Sequence, residues 1–303
     1  MILLPCLFAL GVTLCLEPLF MKFSFVVGAV DLPDGRRKRH AAPTARLGGL
    51  GFYLVFAIFA AFTPGIASPL VSALLSGGGL LVACGAADDA LRLSPLPKLF
   101  FQATAAVSAV WICGVPDTLS VGPAIWHLPP WAVFLLSVLF LTVTINAANF
   151  SDGTDGLCGT LHLLTFLAVA YAGSLWGTGD LVAVLLLLSA VLLGFLPYNR
   201  APALLFMGDG GSQFLGLAAG LSLLSLPKDG FSLFSLLFYA VPLADFCFSV
   251  FRRLRHGKNP LSADRGHLHH RLLDRGFSPT AVTAVLSAFA LSGILTALGL
   301  FRA

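Results

Sequence analysis

Charged residues are scarce in this 303-residue chain. Asp, Glu, Lys and Arg make up 11% of the sequence, whereas hydrophobic residues make up 57%. A soluble domain has about 25% charged and about 45 to 50% apolar residues. The composition therefore predicts an integral membrane protein, organised as one domain over residues 1–303, and leaves no room for a soluble domain. The net charge of +4 is too small to indicate nucleic-acid binding.

The cysteine spacing of a metal site and the pattern expected of a cleavable leader are also not evident. The six cysteines show no metal-ligand spacing and mostly lie in apolar runs, which is typical of packing residues. The first apolar run lacks a basic leading region and an obvious small-residue cleavage site, and it contains Glu17. It is therefore interpreted as a membrane span rather than a signal peptide.

Long apolar runs recur along the whole chain. About 20 apolar residues are needed to cross a hydrocarbon core about 30 Å thick. Since strands that are not closed into a barrel cannot satisfy their backbone groups in lipid, we expect an all-α polytopic membrane protein. The ten predicted spans are 2–20, 47–63, 67–87, 99–115, 130–147, 157–176, 181–197, 211–226, 231–251 and 281–300.

Lysine and arginine predict the orientation of these spans, because short loops rich in them stay in the cytoplasm. With an outer N-terminus, every lysine and arginine except Lys228 and Arg302 lies in an inner connection. The inner connections are 21–46, 88–98, 148–156, 198–210 and 252–280. Most motifs rich in carboxylates or histidines lie on this same side, so we expect active-site loops that face the cytoplasm.

The first such motif contains Asp88, Asp89 and Lys98, between the third and fourth spans. Adjacent carboxylates at a membrane boundary repel each other unless a cation is close. The pair therefore indicates a metal ion, a phosphate-binding lysine or both, and the alternative is a solvated helix end. Pro95 and Pro97 predict a stiff turn that returns Lys98 towards the aspartates.

The second motif contains Asn146, Asn149, Asp152 and Asp155 at three-residue spacing. Residues three apart are neighbours on a helix, so these oxygen-bearing side chains are predicted to share one face. Oxygen ligands suit Mg²⁺ or Mn²⁺. A capping or turn role is the alternative, above all for Asp155.

The third motif is Asp209 followed by Gly210, Gly211 and Ser212 at the start of a span. Small residues allow backbone amides to approach a phosphate at a helix N-terminus. The alternative is a capped helix after a tight turn.

The fourth motif contains His267, His269 and His270 beside Arg265 and Arg271. The histidine spacing directs the rings poorly at a single zinc ion. Arginine and imidazole donors are more typical of a diphosphate or nucleotide site, and the alternative is a basic loop that only sets topology.

Two charged residues outside these four motifs are also candidates for a specific role. Arg46, at the end of a basic connection, is a candidate ligand-binding residue, whereas the basic run 36–39 is attributed to topology or anionic lipid. Asp245 lies inside the ninth predicted span, where a carboxylate should face a cavity or a partner.

In order along the chain, "HAAPTARLGG", "DDALRLSPLPKLFFQ", "NAANFSDGTDGL", "FMGDGGSQFLG" and "DRGHLHHRLL" resemble the motifs of the polyprenyl-phosphate N-acetylhexosamine-1-phosphate transferases. The last segment is similar to the GlcNAc-type branch of that family. The resemblance implies transfer of a sugar 1-phosphate from a UDP-sugar to undecaprenyl phosphate at the bacterial inner membrane. Among the possible sugars it favours GlcNAc over FucNAc, QuiNAc, GalNAc and MurNAc-pentapeptide. A membrane transporter is the alternative of another class, but the halves show no evident repeat.

The resemblance also implies contact with membrane lipid and is compatible with a homodimer. It further implies roles for individual residues. It implies Mg²⁺ held by Asn149 and Asp209, with Mn²⁺ as the alternative ion. It implies catalytic roles for Asp88, Asp89 and Asp152, through direct transfer or, alternatively, a covalent aspartyl intermediate. The residues expected to bind substrate are Arg46, Lys98, Asn146, Asp155, His267, His269, His270 and Arg271.

Overall fold

The computed structural model describes residues 2–33, 43–91, 93–114, 116, 118–121, 124–226, 231–258 and 266–301. Several basic residues that were used to predict the orientation lie outside these ranges. They are Arg36, Arg37, Lys38, Arg39, Arg92, Lys228, Arg265 and Arg302.

Helices dominate the described part of the chain. They are α1 (Leu3–Val27), α2 (Gly48–Phe62), α3 (Pro69–Leu91), α4 (Pro95–Cys113), α5 (Pro130–Ser151), α6 (Leu157–Trp176), α7 (Gly179–Asn199), α8 (Gly208–Ser225), α9 (Ala240–Arg255), α10 (Leu268–Asp274) and α11 (Pro279–Leu300). A 3₁₀ helix, Leu233–Tyr239, leads directly into α9. The prediction of an all-α polytopic membrane protein is confirmed.

Eight helical stretches of the described residues are long and apolar enough to cross a membrane: α1, α3 to α7, the continuous stretch Leu233–Arg255, and α11. The helix α2 is apolar but shorter. Together with α8, these helices account for the ten predicted spans.

The helix α8 lies at the centre of the molecule. It packs against α3 and α5, and almost all of its residues are buried by protein. Glycines make this close packing possible: a Cβ on Gly216 would stand 2.5 Å from the Thr144 carbonyl oxygen, and one on Gly220 would stand 2.4 Å from Thr144 Oγ1. A helix surrounded by protein needs less apolar surface than one that faces lipid, so α8 tolerates many small and polar residues.

Several helices extend beyond their predicted ends. The first helix continues from the predicted end at 20 to Val27, the third reaches Leu91, and the fifth reaches Ser151. The connections are correspondingly shorter than predicted. As a result, Asp88, Asp89 and Asn149 belong to the last turns of helices rather than to loops.

Short strands lie at the two ends of the helix bundle. At one end β1 (Val30–Asp31) pairs with β2 (Thr44–Ala45), antiparallel. At the other end β3 (Thr118–Val121) pairs with β4 (Ala124–His127) and with β5 (Phe231–Ser232). None of these described strands needs to cross the apolar region, which agrees with the helical prediction.

Candidate active site at one end of the helix bundle

Three carboxylates meet at the end of the bundle that holds the β1–β2 pair. Asp88 and Asp89 come from the last turn of α3, and Asp209 comes from the first turn of α8. One oxygen atom from each of the three side chains lies within 4.8 Å of the others. Asp88 and Asp89 are each only 8% exposed, so this concentration of negative charge requires nearby cations.

A glycine contact explains why the carboxylates are so close. A Cβ on Gly85 in α3 would stand 2.1 Å from the backbone nitrogen of Gly210 in α8. The two helix backbones therefore touch one turn away from the aspartates. A larger residue at either position would push apart the helices that carry Asp88, Asp89 and Asp209.

Lys98 is the first cation at the site. It lies in the first turn of α4, which begins at Pro95 directly after its N-cap residue Ser94. Its Nζ contacts Asp88 and lies 3.1 Å from Oδ2 of Asp209. The return of Lys98 to the aspartates agrees with the prediction made from the two prolines, although these begin a helix rather than form a separate turn.

Arg46 is the second cation. One guanidinium nitrogen lies 2.9 Å from Asp89 Oδ1 and 3.5 Å from Asp209 Oδ1. The other lies 3.7 Å from Asp31 Oδ1. Arg46 thus connects α3, α8 and β1 in a single ion-pair network.

Backbone hydrogen bonds hold Arg46 beside Asp209. Phe206 N donates to Ala45 O at 2.8 Å, and Gly49 N donates to Met207 O at 2.9 Å. The chain then turns at Gly208, which has a φ of 68°, a conformation that favours glycine. A Cβ at Gly208 would stand 2.2 Å from Asp89 Oδ2, so this turn also makes room for the carboxylate. Asp89 Oδ2 accepts a hydrogen bond from Asp209 N at 3.2 Å.

The expectation that Gly210 and Gly211 bring backbone amides towards a phosphate is not supported by their positions. Gly210 packs against α3, and a Cβ on Gly211 would stand 2.6 Å from the Cα of Gly49 in α2. Both glycines permit close packing of α8 against its neighbours. The short distance between the helix backbones leaves no space for a ligand there. Within this motif only Asp209 lines the cavity described next.

A cavity of about 780 Å³ opens onto the charged cluster. Its wall combines the carboxylates and both cations with the segment 28–33, which contains β1. The lining residues are Gly28, Val30, Asp31, Leu32, Pro33, Arg46, Asp88, Asp89, Ala90, Leu93, Lys98 and Asp209. Sequence reasoning missed Asp31 as a site residue, although an acid placed directly after an apolar run was an available signal.

The predicted single helical face for the second motif is wrong. The helix α5 ends at Ser151, so Asn146 and Asn149 are helical, whereas Asp152 is the C-cap residue and Asp155 lies in the following turn. Asn149 Nδ2 donates to Ser212 Oγ of α8 at 3.1 Å, one turn after Asp209. Asn146 Nδ2 donates to Gln102 Oε1 of α4 at 2.9 Å and so lies further along α5 from the end of the bundle.

Asp152 belongs to the charged cluster, but Asp155 performs a different task. Burial raises the pKa of Asp152 well above its ordinary value; the Asp209 carboxylate adds to this rise and Arg46 opposes it. Asp155 Oδ2 accepts a hydrogen bond from Ala203 N at 2.9 Å. Asp155 therefore holds the connection between α7 and α8, a structural role that differs from the capping or turn role considered from the sequence.

The histidine motif lies against the turn that carries Asp152. A Cβ on Gly153 would stand 2.0 Å from His269 Nε2, so the ring occupies the space that glycine leaves. Burial lowers the pKa of His269 to about 3, His270 and His267 add to this effect, and Asp245 opposes it. His269 is therefore uncharged at neutral pH.

The other residues of this motif differ in exposure. His267 is buried and pairs with Asp245, whose carboxylate lies 3.0 Å from the ring. This contact agrees with the expectation that Asp245 has a partner. The His270 ring is centred 4.2 Å from that of His269, and the Arg271 side chain is exposed.

The donor atoms suit a magnesium ion. Carboxylate oxygens from Asp88, Asp89 and Asp209 converge, and oxygen ligands are those that Mg²⁺ prefers. Arg46 is also within electrostatic range of Asp152 and Asp31. Five aspartates (31, 88, 89, 152 and 209) therefore lie near two basic side chains, and this excess of carboxylates favours binding of a divalent cation.

Comparison with known proteins agrees with this arrangement. A decaprenyl-phosphate N-acetylglucosaminephosphotransferase of Mycolicibacterium smegmatis is 36% identical over 292 residues, covering 83% of this chain and 70% of the relative. A probable undecaprenyl-phosphate N-acetylglucosaminyl 1-phosphate transferase of Bacillus subtilis is 33% identical, covering 88% and 75%. An undecaprenyl-phosphate alpha-N-acetylglucosaminyl 1-phosphate transferase of Escherichia coli is 32% identical, covering 83% and 71%.

A sequence profile of glycosyl transferase family 4 matches residues 71–226. This range contains Asp88, Asp89, Lys98, Asp152 and Asp209, which come together in the charged cluster. The chain belongs to glycosyl transferase family 4, and within it to the polyprenyl-phosphate N-acetylhexosamine-1-phosphate transferases.

Proposed function

We propose that this protein transfers N-acetylglucosamine 1-phosphate from UDP-GlcNAc to undecaprenyl phosphate at the cytoplasmic face of a bacterial inner membrane. The names of three relatives describe N-acetylglucosamine phosphate transfer involving a polyprenyl phosphate. An oxygen of the lipid phosphate attacks the β-phosphorus of UDP-GlcNAc. The bond from that phosphorus to the oxygen it shares with the UMP phosphate breaks, and UMP leaves.

The observation that carries this proposal is the meeting of carboxylates and cations in a cavity at the end of a membrane-embedded bundle. Both substrates are anionic, so their phosphates repel each other unless the protein supplies positive charge. Lys98 and Arg46 face the cavity and provide fixed positive charge without the need for reorganisation during the reaction. A prenyl chain remains in lipid while its phosphate reaches this end of the bundle.

Magnesium fits the same site. We propose that Asp209 and Asn149 hold the ion, with Asp88 and Asp89 close enough to contribute carboxylate oxygens. Asn149 is joined to the first turns of α8 through Ser212. Bound there, Mg²⁺ supplies positive charge that offsets the negative charge on the transferring phosphate.

The contacts of Asp88 favour direct transfer over a covalent aspartyl intermediate. Asp88 Oδ1 accepts a hydrogen bond from Leu93 N at 2.7 Å, and its other oxygen contacts Lys98. These contacts reduce the availability of the carboxylate as a nucleophile. A phosphate monoester with a second pKa of about 6 is already largely ionised at neutral pH, so it needs little help from a base.

The test is an assay of the purified full-length protein with undecaprenyl phosphate, Mg²⁺ and a panel of UDP-sugars, with UMP release as the measurement. We expect UMP release with UDP-GlcNAc that depends on both the lipid phosphate and the metal ion. The panel contains UDP-GalNAc, UDP-FucNAc, UDP-QuiNAc and UDP-MurNAc-pentapeptide. Activity with one of these but not with UDP-GlcNAc would correct the sugar, and no activity with any would refute the proposed reaction.

A further inference from the structure

One face of α9 holds the segment that precedes α10. Asp245, Ser249 and Arg252 are spaced four and three residues apart and therefore share this face. Asp245 Oδ1 accepts a hydrogen bond from Leu268 N at 2.8 Å. At the other end of the segment, Arg252 Nη1 donates to Gly266 O at 2.9 Å. His267 lies between these two anchored residues.

The His267 ring is fixed on several sides. Its Nδ1 lies 3.0 Å from Asp245 Oδ2 and 3.1 Å from Ser249 Oγ. The ring is parallel to that of His269, with an interplanar angle of 3° and 5.7 Å between centroids. Phe150 meets it edge to face at 4.6 Å. Because Phe150 directly follows Asn149, these contacts hold the imidazole beside the end of α5.

The Asp245 contact determines which ring nitrogen carries the hydrogen. An ionised carboxylate can only accept hydrogen bonds, so Nδ1 is the nitrogen that donates to Asp245. Nε2 is then the nitrogen that remains for another partner. Fixing one ring nitrogen through a carboxylate is a common means of orienting a functional histidine.

We infer that Asp245 is a positioning residue that fixes the orientation and the hydrogen-bearing nitrogen of His267, so that Nε2 accepts a hydrogen bond from the nucleotide-sugar. This inference rests on the proposed function, in which the histidine motif contacts the donor substrate. Asp245 does not touch substrate itself and acts through His267. The competing interpretation is that Asp245 only anchors the start of α10 through Leu268 N.

The substitution Asp245→Asn separates these two interpretations. The new side chain has the same shape, and its oxygen still accepts from Leu268 N. Its amide nitrogen, however, donates to Nδ1 of His267, which moves the ring hydrogen to Nε2. We expect a KM for UDP-GlcNAc at least tenfold higher, a smaller change in kcat, and an unchanged thermal unfolding temperature.

The matched control is Asp180→Asn. Asp180 lies exposed in the first turn of α7, at the opposite end of the bundle. Its substitution also replaces a carboxylate by an amide. We expect its kinetic constants to equal those of the unmodified protein. A KM increase in this control as large as that in D245N would show a general charge effect and overturn the inference.

A second variant keeps the test decisive if D245N proves less stable. In His267→Asn the amide nitrogen replaces Nδ1 and keeps the bond to Asp245, but no atom replaces Nε2. We expect H267N to raise the KM at least as much as D245N, and the double variant to show no additional loss, because both changes remove one interaction.

Three further outcomes contradict the inference. They are an unchanged KM in D245N, an unchanged KM in H267N, and effects of the two substitutions that multiply in the double variant. A lower unfolding temperature of D245N with unaltered kinetic constants would assign Asp245 to the anchoring role alone. An inactive unmodified protein would instead refute the proposed function, and the inference would fall with it.

Discussion

Arg46 shows how much of the site depends on one side chain. Its guanidinium group contacts Asp89, Asp209 and Asp31, which belong to three separate segments. The planar group presents several donors in a fixed geometry, whereas a lysine ammonium is a single compact charge. Charge alone therefore does not replace the contacts that this arginine makes.

We accordingly predict that Arg46→Lys lowers kcat/KM at least tenfold although the charge is kept. A lysine at position 46 cannot contact the three carboxylates at once, so Asp89 and Asp209 lose their common partner. UMP release provides the measurement. Lys22→Arg in α1, outside the cavity, is the control for exchange between lysine and arginine. Full activity of R46K would show that only the charge matters.

At the residue scale, sequence reasoning identified the charged groups and the return of Lys98 to the aspartates, but not the ion pairs that Arg46 makes. Asp88, Asp89, Lys98 and Asp209 were all predicted as site residues, and the structure brings them together. The link from Arg46 to Asp89 joins residues from different helices, and no local spacing encodes such a contact. Asp155 has the same chemistry as Asp152 and yet holds the backbone of Ala203, because only the fold determines where each carboxylate points.

At the scale of whole elements, the contact between the helices α3 and α8 positions the carboxylates. The helix α3 crosses α8 at Gly85 and Gly210, where the two backbones touch. Asp88 and Asp89 follow Gly85 by one turn, and Asp209 directly precedes Gly210. The distance between the helices therefore sets the distance between the carboxylates.

We predict that Gly85→Ala both destabilises the protein and lowers activity. The added methyl group would stand 2.1 Å from Gly210 N, so the helices must separate. Such overpacking costs about 1–3 kcal/mol and displaces Asp88 and Asp89 from Asp209. Thermal unfolding in detergent and UMP release measure the two effects.

Gly11→Ala in α1 is the matched control, because a Cβ there meets nothing within 4 Å. Alanine favours a helix over glycine by about 1 kcal/mol, so this control should not destabilise the protein. Equal behaviour of the two variants would show that the α3–α8 contact does not position the carboxylates.

Sequence reasoning predicted the helices well but left the task of some glycines open. Apolar runs locate spans because lipid requires them, and α3 to α7 all follow this rule. The sequence of Gly210 and Gly211 fitted either phosphate binding or a tight turn before a capped helix, and in the structure they permit contacts of α8 with α3 and α2. Both roles need a small residue, so the sequence signal is the same, and only the neighbouring helices distinguish them.

At the scale of the whole molecule, the site residues gather at one end of the bundle. The C-terminal ends of α3 and α5 meet the N-terminal ends of α2, α4 and α8 there. Successive spans run in opposite directions, so residues far apart in sequence share one side of the membrane. The distribution of lysine and arginine predicts that this side faces the cytoplasm.

Single cysteines test this orientation in intact cells. Starting from a variant whose six natural cysteines are replaced, we choose Ala67→Cys and Lys258→Cys, both exposed in the structure. Ala67 lies between α2 and α3, away from the carboxylates, whereas Lys258 follows α9 at the end that holds the site. We predict that a membrane-impermeant maleimide labels A67C in intact cells and K258C only after permeabilisation. The opposite pattern would place the cavity outside the cell, where the cytoplasmic nucleotide-sugar cannot reach it.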